Sequence, residues 1–179
     1  FHTLIRRVQM FLRRFAIAST LIVGGAALAM PAMADVVNLE GVVDDASMVT
    51  STPTSGPNLA DDLNLYGEGT AQSDVVVKVA DMALFTNSSD GVTLSASADG
   101  NLTNDKGTPT VVAYNVLIVA DAAPTPAATA FTATSDSQTV NDFDANGDSA
   151  RDLYIEYDAP ALLDPGTYTS SITVTIADQ

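Results

Sequence analysis

The chain has 179 residues, long enough for one domain with a sizeable core, and it is strongly acidic, with 22 Asp and Glu against 7 Lys and Arg. Four of the seven cations (Arg6, Arg7, Arg13, Arg14) lie in the first 34 residues, which contain no acid, so residues 35–179 carry 3 − 22 = −19 charges. A surface of that sign repels phosphate backbones and excludes nucleic-acid binding; the lack of Cys, and of any His beyond His2, excludes disulfides, His-dependent triads, thiol nucleophiles and Cys/His zinc sites.

The first 34 residues read as a signal peptide. Arg13 and Arg14 precede an apolar run over residues 15–30, and Ala32-Met33-Ala34 supplies the small side chains read at a cleavage site. The run is short for a membrane span, so no transmembrane helix is expected after cleavage. Ordinary export of an unfolded chain is favoured over the twin-arginine route. A new N-terminus at Asp35 leaves one domain, residues 35–179.

Past Asp35 the pattern is that of strands separated by turns, with no helical period. Residues 36–43 alternate, with Val37, Leu39, Gly41 and Val43 on one face, and residues 46–50 continue the strand after Asp44-Asp45. Residues 52–62, with Pro53, Gly56 and Pro57, read as loop. Residues 75–80 form a Val-rich strand that residues 82–86 continue. A turn at residues 87–91 leads into a strand at 92–97, and Asp99-Gly100 into a short one at 101–103. Residues 111–120 are the most apolar run, expected to be central and buried on both faces. Residues 131–133 and 138–140 read as short edge pieces. Leu153, Ile155 and Tyr157 share one face of a further strand. After Pro165-Gly166 the last strand places Tyr168, Ser170, Ile172, Val174 and Ile176 on one side and Thr or Ser on the other. Seven to nine such strands make an all-β, immunoglobulin-like antiparallel β-sandwich.

One stretch has the residues of a cation site. Asp142, Asp144 and Asn146 at steps of two, followed by Gly147, match the opening of a calcium loop, with Asp148 and Asp152 as further oxygens. The position for a bidentate Glu holds Leu153 instead, so an Asp/Asn/Gly-rich turn between strands is the favoured reading and a calcium site the alternative. No cofactor other than calcium is suggested. Asp44-Asp45 and Asp61-Asp62 lie beside turn residues and read as solvated turns rather than acid/base pairs. The five tyrosines read as core or cross-strand partners.

Two segments carry a resemblance. Residues 38–47, Asn-Leu-Glu-Gly-Val-Val-Asp-Asp-Ala-Ser, resemble the first strand of chaperone–usher pilins and spore-coat-U-like secreted proteins. Residues 164–176, Asp-Pro-Gly-Thr-Tyr-Thr-Ser-Ser-Ile-Thr-Val-Thr-Ile, resemble their Gly-x-Tyr final strand. The resemblance implies a sandwich lacking one strand, completed by strand addition from a neighbouring subunit. It implies a non-catalytic structural subunit of a secreted surface fibre (pilus or fimbria) or coat, a filament of like subunits served by a periplasmic chaperone and an outer-membrane usher. It assigns Tyr168, Ile172, Val174 and Ile176 to the acceptor groove and Val37, Leu39, Gly41 and Val43 to the donor, so residues 36–43 are claimed both as donor and as first strand of the fold. The alternative from the residues alone is a monomeric secreted calcium- or glycan-binding sandwich module. An enzyme working through carboxylates alone is a third reading.

Overall fold

The computed structural model describes residues 43–65, 69–106 and 110–179. Nine strands form among these: β1 (Ser47–Pro53), β2 (Gln72–Thr86), β3 (Val92–Ala98), β4 (Asn101–Asn104), β5 (Val111–Ala120), β6 (Ser135–Val140), β7 (Asp148–Ala159), β8 (Tyr168–Thr169) and β9 (Ile172–Asp178). Their pairings are all antiparallel. A six-stranded sheet runs β1-β2-β7-β5-β4-β8, and a three-stranded sheet runs β6-β3-β9. The architecture is the expected all-β sandwich.

Alternation builds the core. Val112, Tyr114, Val116 and Ile118 point inward from β5, Leu153, Ile155 and Tyr157 from β7, and Val92, Leu94 and Ala96 from β3. β2 delivers Val77, then Ala80, Met82 and Leu84; a bulge between Lys78 and Ala80 corrects the phase. Burying side chains of this size contributes roughly 1.5–3 kcal/mol each, and with no cysteine in the chain no disulfide adds to that.

Several expectations need correction. The strand beside β2 is Ser47–Pro53, reaching two residues into the stretch read as loop, and Val43 lies ahead of it in coil, 83% exposed. The signal peptide and residues 36–42 fall outside the described residues. β5 lies between two strands but is buried on one face only, because Val111 and Ala113 open to solvent. The strand with both faces covered is β7, where Tyr154 and Asp152 on the outer face are also buried. Residues 131–133 form no strand; a 3-10 turn at Ala128–Ala130 precedes them. β7 begins at Asp148, inside the supposed calcium loop. The last strand is not continuous. Tyr168–Thr169 pairs with β4 in the large sheet, Ile172–Asp178 with β3 in the small one, and the chain crosses between sheets at Ser170-Ser171.

Candidate functional site

The two long sides of the sandwich differ. On one side, β5 and the run into β6 are stitched together: the Val116 amide donates to the Ala133 carbonyl (3.0 Å), the Ile118 amide to Asp136 Oδ2 (2.8 Å), and Gln138 Nε2 to the Ile118 carbonyl. On the other side, β1 and β9 lie next to each other at the free edges of their sheets, and no backbone hydrogen bond joins them. Only a clasp at one end ties them. Ser47 Oγ is 2.9 Å from Thr86 Oγ1, and both hydroxyls donate to the Asp178 carboxylate.

From that clasp β1 and β9 run in opposite chain directions, and an apolar groove of about 470 Å³ opens between them. Val49, Ser51 and Pro53 wall it from β1, and Ile172 and Val174 from β9. Its floor is the core itself, including Val79, Leu153, Ile155 and Tyr114. This explains why Val49, Ile172 and Val174 are only half-buried although they point at the core, and why Ser51 and Pro53 are exposed. Two unpaired edges flanking an open apolar trough are what native sheets ordinarily avoid.

Away from the clasp the groove continues into a wider opening lined by Leu65, Leu163 and Tyr168 together with Asp61, Asp62 and Asp164. Ala60, Leu63, Leu102 and Ser170 line both parts, so the seam is continuous. Buried tyrosines fix its walls. The Tyr114 hydroxyl sits 2.8 Å from Ser170 Oγ and donates to the Ser171 carbonyl (3.2 Å), anchoring the crossover into β9. The Tyr157 hydroxyl donates to the Asn64 carbonyl (3.2 Å) and holds the loop that carries Ala60 and Leu63. Burial raises both phenols, Tyr157 to about 12, so both remain donors at neutral pH.

The chain leading into β1 is also fixed. Asn87 acts on it three times: its Oδ1 accepts from the Ala46 amide (2.8 Å), its amide donates to the Ala46 carbonyl (3.1 Å), and its Nδ2 donates to the Asp44 carbonyl (2.7 Å). Residues 44–46 therefore lie against the turn after β2, at the clasped end and away from the open end of the seam.

Of the residues the sequence assigned to a groove, Ile172 and Val174 line it and Tyr168 lines its opening. Ile176 faces the core near the clasp, paired with Leu94, and does not line the seam. The sequence reading did not place Val49, Ser51 and Pro53 in the opposite wall: Val49 lay in the expected strand at 46–50, and Pro53 in the stretch read as loop. It also missed Ala60 and Leu63, which only the fold brings beside β9. Of the donor residues, Val37, Leu39 and Gly41 lie outside the described residues.

The five oxygens of the supposed calcium loop are not brought together. Asp142 pairs with the Arg151 guanidinium, which holds its carboxyl below the usual range. Asp144 Oδ1 accepts from the amides of Asn146 (2.8 Å) and Asp148 (3.0 Å), which lowers its pKa too and makes it the cap of a tight turn. At that turn Gly147 has φ +86°, and a Cβ there would lie 2.2 Å from the Thr86 carbonyl oxygen. Asp152 points elsewhere, to the outer face of β7, where Lys78 Nζ is 2.8 Å from its Oδ1 and also pairs with Asp81 (2.5 Å). Two groups of three acids do cluster among the described residues, Asp81 with Asp121 and Asp152, and Asp74 with Glu156 and Asp158. Lys78 already supplies the cation of the first.

No protein-family model matches the sequence, and no curated protein matches it. Among solved structures, the fold is similar to that of the minor tip subunit HdaB of the E. coli Hda pilus, with 11% sequence identity and a TM-score of 0.40, over 76% of this chain and 85% of that chain.

Proposed function

We propose that this chain is a non-catalytic structural subunit of a secreted cell-surface fibre or coat, joined to its neighbours by strand addition. The observation that carries the reading is the seam between β1 and β9, an apolar trough with core at its floor and a free sheet edge on each side. An added strand meets both needs of such a trough, because its backbone pairs with an edge while alternate side chains fill the space.

The proposed donor is residues 36–43 of a second copy, presenting Val37, Leu39, Gly41 and Val43. β1 fills the place beside β2 with Ser47–Pro53, so these residues are not needed as that strand. Eight extended residues span about 26 Å at ~3.3 Å each, enough to run the length of seven-residue β9. Residues 44–46, to which the donor segment (the leader) is joined, lie at the clasped end, whereas the seam opens at the far end. Donation to the next copy is then head-to-tail and does not close, the condition for a filament.

In this proposal residues 1–34 are removed on export, residues 35–179 are the mature subunit, and a periplasmic chaperone and an outer-membrane usher shield the seam until a neighbour fills it. The test is the assembly state of the exported chain by sedimentation and electron microscopy. Filaments that are lost on deleting residues 36–43 support the proposal. A chain that stays monomeric at high concentration, alone and beside its own cell's export machinery, refutes it.

A further inference from the structure

The open end of the seam is acidic. Asp61, Asp62 and Asp164 line it, and two of these are held in place: Asp61 Oδ1 accepts from the Gly56 amide (2.8 Å) and Asp164 Oδ2 from the Thr110 hydroxyl (2.9 Å). Asp105 accepts from the amide of Thr167, which also lines the opening (3.0 Å). Little cationic charge offsets this group. Residues 35–179 contain only Lys78, Lys106 and Arg151. Lys78 is engaged by Asp81 and Asp152 on the outer face of the large sheet, and Arg151 by Asp142 at the clasped end. Lys106 is near the opening, but it lies 3.9 Å from Asp105, whose charge it faces first.

The occupant proposed above is acidic where it meets that group. Val43 is followed directly by Asp44 and Asp45, and no cation lies between residues 35 and 77. Asn87 clips Asp44 and Ala46 to the donor's own body. The body cannot follow its leader into the seam, and the Ser47–Thr86–Asp178 clasp shuts the other end. When residues 36–43 of a second copy lie in the seam, Asp44 and Asp45 are therefore the residues left at the opening, against Asp61, Asp62 and Asp164.

We propose that the seam is charge-gated: apolar fit selects the leader of a second copy, and ionic strength decides whether it enters. The inference rests on the strand-addition reading. Like charges at an exposed joint repel over a Debye length, which falls from about 30 Å at 0.01 M salt to about 3 Å at 1 M. In dilute salt all five carboxylates feel one another; at high salt only direct neighbours do.

The test titrates four labelled synthetic peptides of residues 35–47 into the full chain, at 0.01 and 1 M NaCl: native, Asp44→Asn/Asp45→Asn, Asp44→Lys/Asp45→Lys, and Leu39→Asp. The native peptide is expected to bind at least about tenfold more tightly at 1 M. The double Asn peptide, which keeps Asp35 and Glu40, should show a clearly smaller salt response than the native one, and the double Lys peptide should reverse the order and bind more tightly at low salt. General salting-out, which strengthens apolar contacts at high salt for every peptide alike, cannot produce that reversal. Equal salt responses for the native, Asn and Lys peptides overturn charge gating, while strand addition stands if Leu39→Asp fails to bind. No binding by any peptide at either salt overturns both. Replacing Asp61, Asp62 and Asp164 with Asn in the full chain, with the melting temperature checked, should flatten the native peptide's response; an unchanged response in a folded variant also overturns the proposal.

Discussion

A carboxylate placed in the seam should separate assembly from folding. Val174 lines the trough from β9, pairs with Ala96 across the small sheet and is only half-buried. In the free subunit Val174→Asp removes about half of a valine's burial, roughly 1 kcal/mol, while the new carboxylate keeps its water because the trough is open. Once a donor strand covers the trough, that carboxylate loses its water with no cation among the seam's lining residues to replace it, and burying an unpaired charge costs several kcal/mol. A penalty of about 4 kcal/mol lowers association about a thousandfold. Thr173→Asp places the same charge one residue away on the exposed face of the same strand and should leave both properties unchanged. Thermal melting reports the fold and sedimentation velocity the assembly. If Val174→Asp assembles within threefold of the parent chain, or unfolds outright where Thr173→Asp does not, the reasoning fails.

Four other outcomes follow from single contacts. Lys78→Met leaves Asp152, 2% exposed, without its cation; urea unfolding at pH 7 should show a loss of about 3 kcal/mol, the low end for a broken buried pair because Lys78 keeps 28% of its side chain in water. The double variant Lys78→Met/Asp152→Asn should recover most of that loss. Glu156 is raised, chiefly by burial and then by Asp158 and Asp74, so its contribution to stability is fully present below its unfolded pKa of 4.5 and lost as pH rises through the higher folded value. Glu156→Gln should accordingly raise the melting temperature at pH 7 and leave it unchanged near pH 3. Asn87→Ala removes the side-chain bonds to residues 44 and 46; the subunit should lose about 1 kcal/mol by thermal melting, and electron microscopy should show filaments of more variable curvature. Calcium or a chelator should shift the melting temperature by less than 1 °C, because Asp142, Asp144 and Asp152 already have separate partners; a rise of several degrees with calcium would refute that placement.

The sequence by itself determined what local physics controls. Alternation of apolar and polar side chains marked the Val-rich part of β2, β3, β5, the middle of β7 and β9, and Pro165-Gly166 and Asp99-Gly100 marked turns that lie between strands. It also fixed the excess of acid, the absence of thiols and which face of β9 looks inward. The Asp142 loop shows where local reading leaves alternatives open: oxygens at steps of two suit circling a cation or capping their own turn, and here Asp142 pairs with Arg151 while Asp144 takes backbone amides. Only the tertiary structure decided how edges meet. That Ser170-Ser171 switches sheets, that Ser47–Pro53 lies beside β2, and that β1 and β9 are tied only by a clasp are outcomes of long-range pairing. A strand's sequence carries its period of two but not the identity of its neighbour, and a seam exists only where two neighbours fail to pair.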